Sequence, residues 1–210
     1  MTDWAEITTV AELEAVVGLP GDRAASKERP TLTDIDRAWL AASPFCVLAT
    51  ADAEGRCDAS PKGDPPGRLV HVVDSRTIAL AERPGNKRVD GYRNVVVNPH
   101  VGLDFVIPGR TDTLRINGRA RLVADAPFFD AMAVRGRRPV LALVVDIETV
   151  FFHCGKAFLR SRLWEPESWD PEAGVPRRAV IAQELEPQPD KTLEELDAYY
   201  RPENYAKSLY

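Results

Sequence analysis

The chain has 210 residues, 44% of them hydrophobic and 28% charged, the proportions of a folded globular protein and not of a disordered one. Its net charge of −5 has the wrong sign for a protein that coats nucleic acid, and no apolar run reaches the ~18 to 20 residues of a membrane span. Three cysteines without CxxC spacing and three scattered histidines argue against a disulfide framework and against zinc. Acids stand near the start where a secretory leader carries Lys or Arg, so a cytoplasmic protein is expected. The charge is uneven. After residue 162 there are eleven acids and five bases, which leaves the preceding body with one positive charge in excess.

Trp4, Ile7, Val10, Leu13 and Val17 recur at three- and four-residue steps, so 4–18 reads as a helix, stopped by Pro20-Gly21. Residues 19–32 read as a linker, and Thr33 caps a second helix through about Ala42. Then the period changes. The apolar run 45–50, the turn Asp52–Gly55 and residues 56–62 read as a hairpin. Residues 69–73 and 77–81 are two more short strands. A helix over 86–97 stops at Asn98-Pro99 and is followed by a strand over 101–107 and a long one over 113–123. A helix over 126–134, a long strand over 140–153 and a short helix over 155–162 complete the body. Strands joined mainly by hairpins, with helices at the edges, predict a mainly β (α+β) fold, a small antiparallel barrel, closed or partly closed. The division expected is an N-terminal helical extension over 1–30, the barrel over 31–165, and an acidic, proline-rich wrap over 166–210 with helical turns near 179–185 and 192–200.

Four stretches carry candidate chemistry. Arg83-Pro-Gly-Asn-Lys-Arg88 follows a strand and opens a helix, so Gly85 and the cations Lys87 and Arg88 meet at a helix start. Such a point suits an anion, most naturally a phosphate, and is equally compatible with a solvated basic turn. It is neither a Walker A sequence nor GxGxxG. In Asp58-Ala-Ser-Pro-Lys62, alternation puts Asp58, Ser60 and Lys62 on one strand face, a polar wall or the outer face of an edge strand. Thr113, Arg115, Asn117, Arg119 and Arg121 share one face of the next long strand; Leu114, Ile116, Ala120 and Leu122 share the other. In the last stretch Lys156 and Arg160 lie four apart ahead of Trp164, a set that suits a planar anionic ligand or an ordinary snorkelling helix. No nucleophile elbow, paired carboxylates or Cys/His arrangement stands out, which points to chemistry carried by a cofactor.

Several blocks together resemble a family. Phe45-Cys-Val-Leu-Ala-Thr50, Gly55-Arg-Cys-Asp-Ala-Ser-Pro-Lys-Gly-Asp-Pro-Pro-Gly67, Arg83-Pro-Gly-Asn-Lys-Arg88, Asn98-Pro-His-Val-Gly102 and Leu114-Arg-Ile-Asn-Gly-Arg-Ala120 are similar to the pyridoxamine 5′-phosphate oxidase-related, FMN-binding split-barrel flavoproteins. The resemblance implies a six-stranded antiparallel split β-barrel with flanking helices, a homodimer, and FMN in clefts between protomers. It further implies that Ser60, Pro61 and Lys62 lie along the flavin, with Ala81 and Glu82 on the next strand. Asn86, Lys87 and Arg88 match the phosphate-binding segment, and Thr113 and Arg115 the strand lining the isoalloxazine. His153, Lys156, Arg160 and Trp164 complete the site, from the partner chain in some arrangements. The oxidase's C-terminal substrate-binding Arg-x-His pattern is not found. The expectation is therefore an FMN-dependent oxidoreductase on an unidentified small molecule. A non-catalytic flavin- or haem-binding carrier or sensor, or a deazaflavin-dependent reductase, is the alternative.

Overall fold

A computed structural model describes residues 4–170, 173–186 and 190–209. Pro171, Pro187 and Pro189 of the expected wrap lie outside them. The core is a sheet of seven strands: β1 (Phe45–Ala51), β2 (Cys57–Gly63), β3 (Val70–Val72), β4 (Thr77–Glu82), β5 (His100–Val106), β6 (Thr113–Val123) and β7 (Leu141–His153). Their order is β2-β1-β5-β6-β7-β4-β3 with every pairing antiparallel. Four neighbouring pairs are hairpins; the β1–β5 and β4–β7 pairings are long-range.

The sheet curls. β2 and β4 lie five strand spacings apart, which in a flat sheet is ~24 Å. Yet Lys62 on β2 and Glu82 on β4 meet at 3.0 Å, and Asp64 and Arg83, just beyond the two strands, meet at 2.7 Å. The fold is an α+β split barrel, with seven strands in place of the six expected, because the short Val70–Val72 segment pairs as an edge strand on β4.

Alternation decides what fills the barrel. Leu48 of β1, Leu103 and Phe105 of β5, Leu114 and Ile116 of β6, and Leu143, Val145 and Val150 of β7 are essentially fully buried in one cluster. Helix α3 (Asp34–Ala42), after α1 (Val10–Val17) and the short α2 (Asp22–Ala25), adds Trp39 and Leu40 to that cluster. Helix α4 (Asp90–Val97) adds Tyr92 and Val95. β6 and β7 form the longest ladder, with a bulge at Asn117/Gly118. Gly118 is required there, since a side chain would overlap the Asp146 carbonyl oxygen. A second, smaller core lies on the other face, where Phe129 and Met132 of the β6–β7 connection cover Ala79, Ala81, Ala142 and Val144.

Three expected elements differ. The helix expected from residue 86 begins at Asp90, with Val89 as its uncapped N-cap. Lys87 has φ +62°, a left-handed conformation that a helix cannot include. The helix expected over 126–134 is only a 3₁₀ turn over Pro127–Phe129, because this connection is held by outside groups: Arg68 donates to the Ala131 carbonyl and Arg83 to that of Met132. The first helix spans Val10–Val17, where Thr9 and Glu12 form a capping box. In the tail, α6 (Arg178–Leu185) and α7 (Leu193–Tyr200) pack on each other, burying Ala179, Ala182 and Leu196, ahead of α8 (Pro202–Tyr205). Between barrel and tail lies α5 (Lys156–Ser161). Among the described residues no helix is long and apolar enough to cross a membrane.

Candidate functional site

The polar wall on β2 faces a cleft of about 330 Å³ between that strand, the end of β4, and the loop that opens α4. Residues 58–62 all line it, with Glu82 beside them, and along β2 Asp58, Ser60 and Lys62 are the more buried positions, as alternation requires. Asn86, Arg88, Asp90, Gly91 and Tyr92 form the opposite side. The floor is anchored by one carboxylate. Glu82 Oε2 accepts from the Tyr92 hydroxyl at 2.6 Å and from Lys62 Nζ at 3.0 Å, and Nζ lies 4.4 Å from the centre of the Tyr92 ring. Burial, then the bond to Glu82, pushes the Tyr92 hydroxyl above its ordinary pKa. Lys62, lining the cleft, thus has its charge held by a partner and a ring. Behind it, burial pushes the Cys46 thiol up to about 12, which makes it an inert core residue.

The opposite rim is looser. Arg88 is paired with Asp90 at 2.5 Å on the surface, and that hydrogen bond, with Asp58 contributing charge nearby, holds its guanidinium above the ordinary pKa. An exposed pair of this kind contributes about 0–1 kcal/mol, so it holds Arg88 only weakly. Asn86 Oδ1 accepts from the Arg88 amide and shapes the turn. Gly91 packs closely: a Cβ there would meet Asp58 Oδ2 at 3.0 Å and Thr50 Oγ1 at 3.4 Å.

The residues singled out from sequence fall into several places. Ser60, Pro61, Lys62, Glu82, Asn86 and Arg88 share the cleft. Ala81 is buried beside a small recess that adjoins Lys62 and Glu82, and Lys87 projects to solvent outside the cleft lining. Thr113, Arg115 and His153 lie away from the cleft, on the outer face of β6 and β7, where Arg115 donates to His153 Nδ1 at 3.4 Å. Lys156 and Arg160 are exposed on α5, while Trp164 stacks on Phe158 and donates to the Arg110 carbonyl at 2.7 Å. Tyr92 was not among the sequence candidates. Its three-residue spacing from Val95 marks the buried face of α4, but nothing local indicates that its hydroxyl reaches Glu82, ten residues back.

The chain defines a class of fold, a seven-stranded antiparallel split barrel with a charged cleft beside the start of α4. Within that class, the family model described as pyridoxamine 5′-phosphate oxidase matches residues 32–154, more than half of the chain. The protein belongs to this family. Comparison with curated proteins gives no match. Among solved structures it is similar to HupZ of Group A Streptococcus (21% identity, TM-score 0.45), with 58% of this chain and 93% of that one covered. It is also similar to an FMN-binding protein from Syntrophomonas wolfei (14% identity, TM-score 0.42), covering 56% of this chain and 88% of that one. A third is HutZ, a haem storage protein from Vibrio cholerae (14% identity, TM-score 0.39), covering 56% and 90%.

Proposed function

We propose that the protein is an FMN-dependent oxidoreductase acting on a small molecule, and that it works as a homodimer. The observation that carries this is the cleft itself, in a chain of this family: Lys62 and Arg88 converge from β2 and the loop before α4 on a space of about 330 Å³. The donor set fits a phosphate and its polyol chain. Lys62 presents its ammonium from a fixed position, Arg88 exchanges Asp90 for the ligand, and Ser60 and Asn86 offer neutral hydrogen bonds. Three carboxylates also face the space, so the phosphate is accommodated only where the two cations outweigh Asp58, Glu82 and Asp90.

When bound, FMN supplies hydride or electron transfer, which no side chain of the cleft provides. The chain's own part is binding and orientation: Glu82 and Tyr92 hold Lys62 in place, and β2 forms a rigid wall. Dimerisation is supported by the division of the expected site between the cleft and the outer face, which one copy cannot bring to a single ligand.

The test compares FMN with riboflavin, which lacks the phosphate. Lys62→Ala with Arg88→Ala is expected to weaken FMN by about 2–4 kcal/mol and riboflavin far less, taking ~1.5–3 kcal/mol for each charged hydrogen bond with incomplete additivity. Equal losses for both ligands would refute a phosphate role. A Soret band, or no visible chromophore after FMN is supplied, would refute the flavin.

A further inference from the structure

The segment ahead of the barrel encloses a second cavity. A space of about 560 Å³ lies between Asp22, Arg23 and Lys27, in and just after α2, and Phe152, His153 and Cys154 at the end of β7. It shares no lining residue with the cleft at the start of α4. Arg29, paired through its backbone with Val150, fastens this segment to β7. The volume falls within the ~300–1,000 Å³ of small-molecule sites, and Phe152 with Gly21 and Ala24 gives the space apolar walls.

The charge around this cavity is unbalanced. Two cations and one carboxylate line it, an excess of one positive charge. Among the described residues neither Arg23 nor Lys27 has a carboxylate within ion-pair distance. Lys27 is half-buried, and its Nζ lies 4.7 Å from the centre of the Phe151 ring, which steadies the ammonium without neutralising it. On the opposite wall Arg115 donates to His153 Nδ1 at 3.4 Å. A guanidinium can only donate, so Nδ1 accepts and the proton of a neutral ring sits on Nε2, which is then a donor.

We propose that this cavity binds a small monocarboxylate with an apolar body, and that such a carboxylate is the substrate class of the oxidoreductase. The carboxylate pairs with Lys27 and accepts from His153 Nε2, while the apolar body packs on Phe152. One positive charge in excess matches one carboxylate, and Asp22 disfavours a dianion such as a phosphate monoester. The cavity stands on this chain alone. The substrate role rests on the FMN reading above, in which His153 and Arg115 belong to the half of the site that a partner copy brings to the flavin.

The test titrates the full chain, with and without FMN, with 1-naphthoate and its neutral counterpart 1-naphthamide. The acid is expected to bind at least about tenfold more tightly than the amide, the worth of one charged hydrogen bond. Lys27→Gln is expected to remove that preference and Lys27→Arg to keep it; Arg23→Gln, on the exposed side, is expected to weaken the acid about threefold. Circular dichroism checks that each variant is folded. Equal binding of acid and amide, no binding of the acid, or a Lys27→Gln variant that keeps the preference overturns the site. In the FMN-loaded protein, bound 1-naphthoate is expected to shift the visible flavin absorbance, and an unshifted spectrum overturns the substrate role. A chain that binds 1-naphthoate but takes up no FMN refutes the FMN reading and the substrate role with it, and leaves the carboxylate site standing.

Discussion

Asp36 accepts four hydrogen bonds in the polar interior, and its replacement by asparagine tests how α3 is held. The side chain is fully buried. It accepts from both terminal nitrogens of Arg29 at 2.6 and 2.9 Å, and from the Thr33 amide and hydroxyl, each at 2.7 Å. Arg29 in turn pairs through its backbone with Val150 of β7, so one carboxylate ties the start of α3 to the sheet. Asparagine keeps the shape but turns an amide donor toward one of the Arg29 nitrogens. Breaking a buried ion pair costs about 3–5 kcal/mol, and the Arg29 side chain, at 33% exposed, recovers part of that from water. The expected loss is ~2–4 kcal/mol, or roughly 5–15 °C in Tm for a domain of this size. Urea unfolding followed by tryptophan fluorescence reads it. The pH dependence is fixed in sign. Burial pushes the Asp36 carboxyl up, but the hydrogen bonds from Arg29 and Thr33 outweigh it and hold the group below its ordinary value. Its stabilisation is therefore full above the unfolded pKa of ~3.9 and is lost as pH falls through the lower folded value. The gap between Asp36→Asn and the unmodified protein should be widest near neutrality and close in acid. A gap under about 0.5 kcal/mol at pH 7, or one that does not narrow in acid, refutes the account.

Two other substitutions separate stability from binding. Glu82→Gln removes the carboxylate shared by Lys62 and Tyr92, so unfolding free energy should fall by about 1–2 kcal/mol while FMN binds more tightly and riboflavin is unaffected. Equal weakening of both ligands in a fluorescence titration would mean that Glu82 acts only by holding the cleft's shape. Gly118→Ala forces a side chain against the Asp146 carbonyl at the β6–β7 bulge and should lower stability by about 2–3 kcal/mol in urea unfolding. A variant as stable as the unmodified protein would show that the bulge can relax.

Much of the barrel was legible because a strand's two-residue period is local information. Leu114, Ile116 and Ala120 alternate with Arg115, Asn117 and Arg119 in the sequence, and the same split separates core from outer face. The Asp58–Ser60–Lys62 wall followed from the same rule, and Thr33 announced the start of α3 by its own capping chemistry. Residues 86–88 and 126–134 depart from the helices their composition suggests because that local preference is overridden. Lys87 adopts a left-handed turn, and two arginines from elsewhere grip the second segment: Arg68 and Arg83.

Local patterning along the chain specifies which residues face in, which face out, and where the Thr33 cap falls. Which of those faces meet is set by long-range packing. Curling of the sheet brings Lys62 to Glu82 across five strand spacings and sets Tyr92 beneath them; the seven-strand order sends Thr113, Arg115 and His153 to another face. Long-range pairing depends on the packing of the whole sheet, and no local period along the chain encodes it.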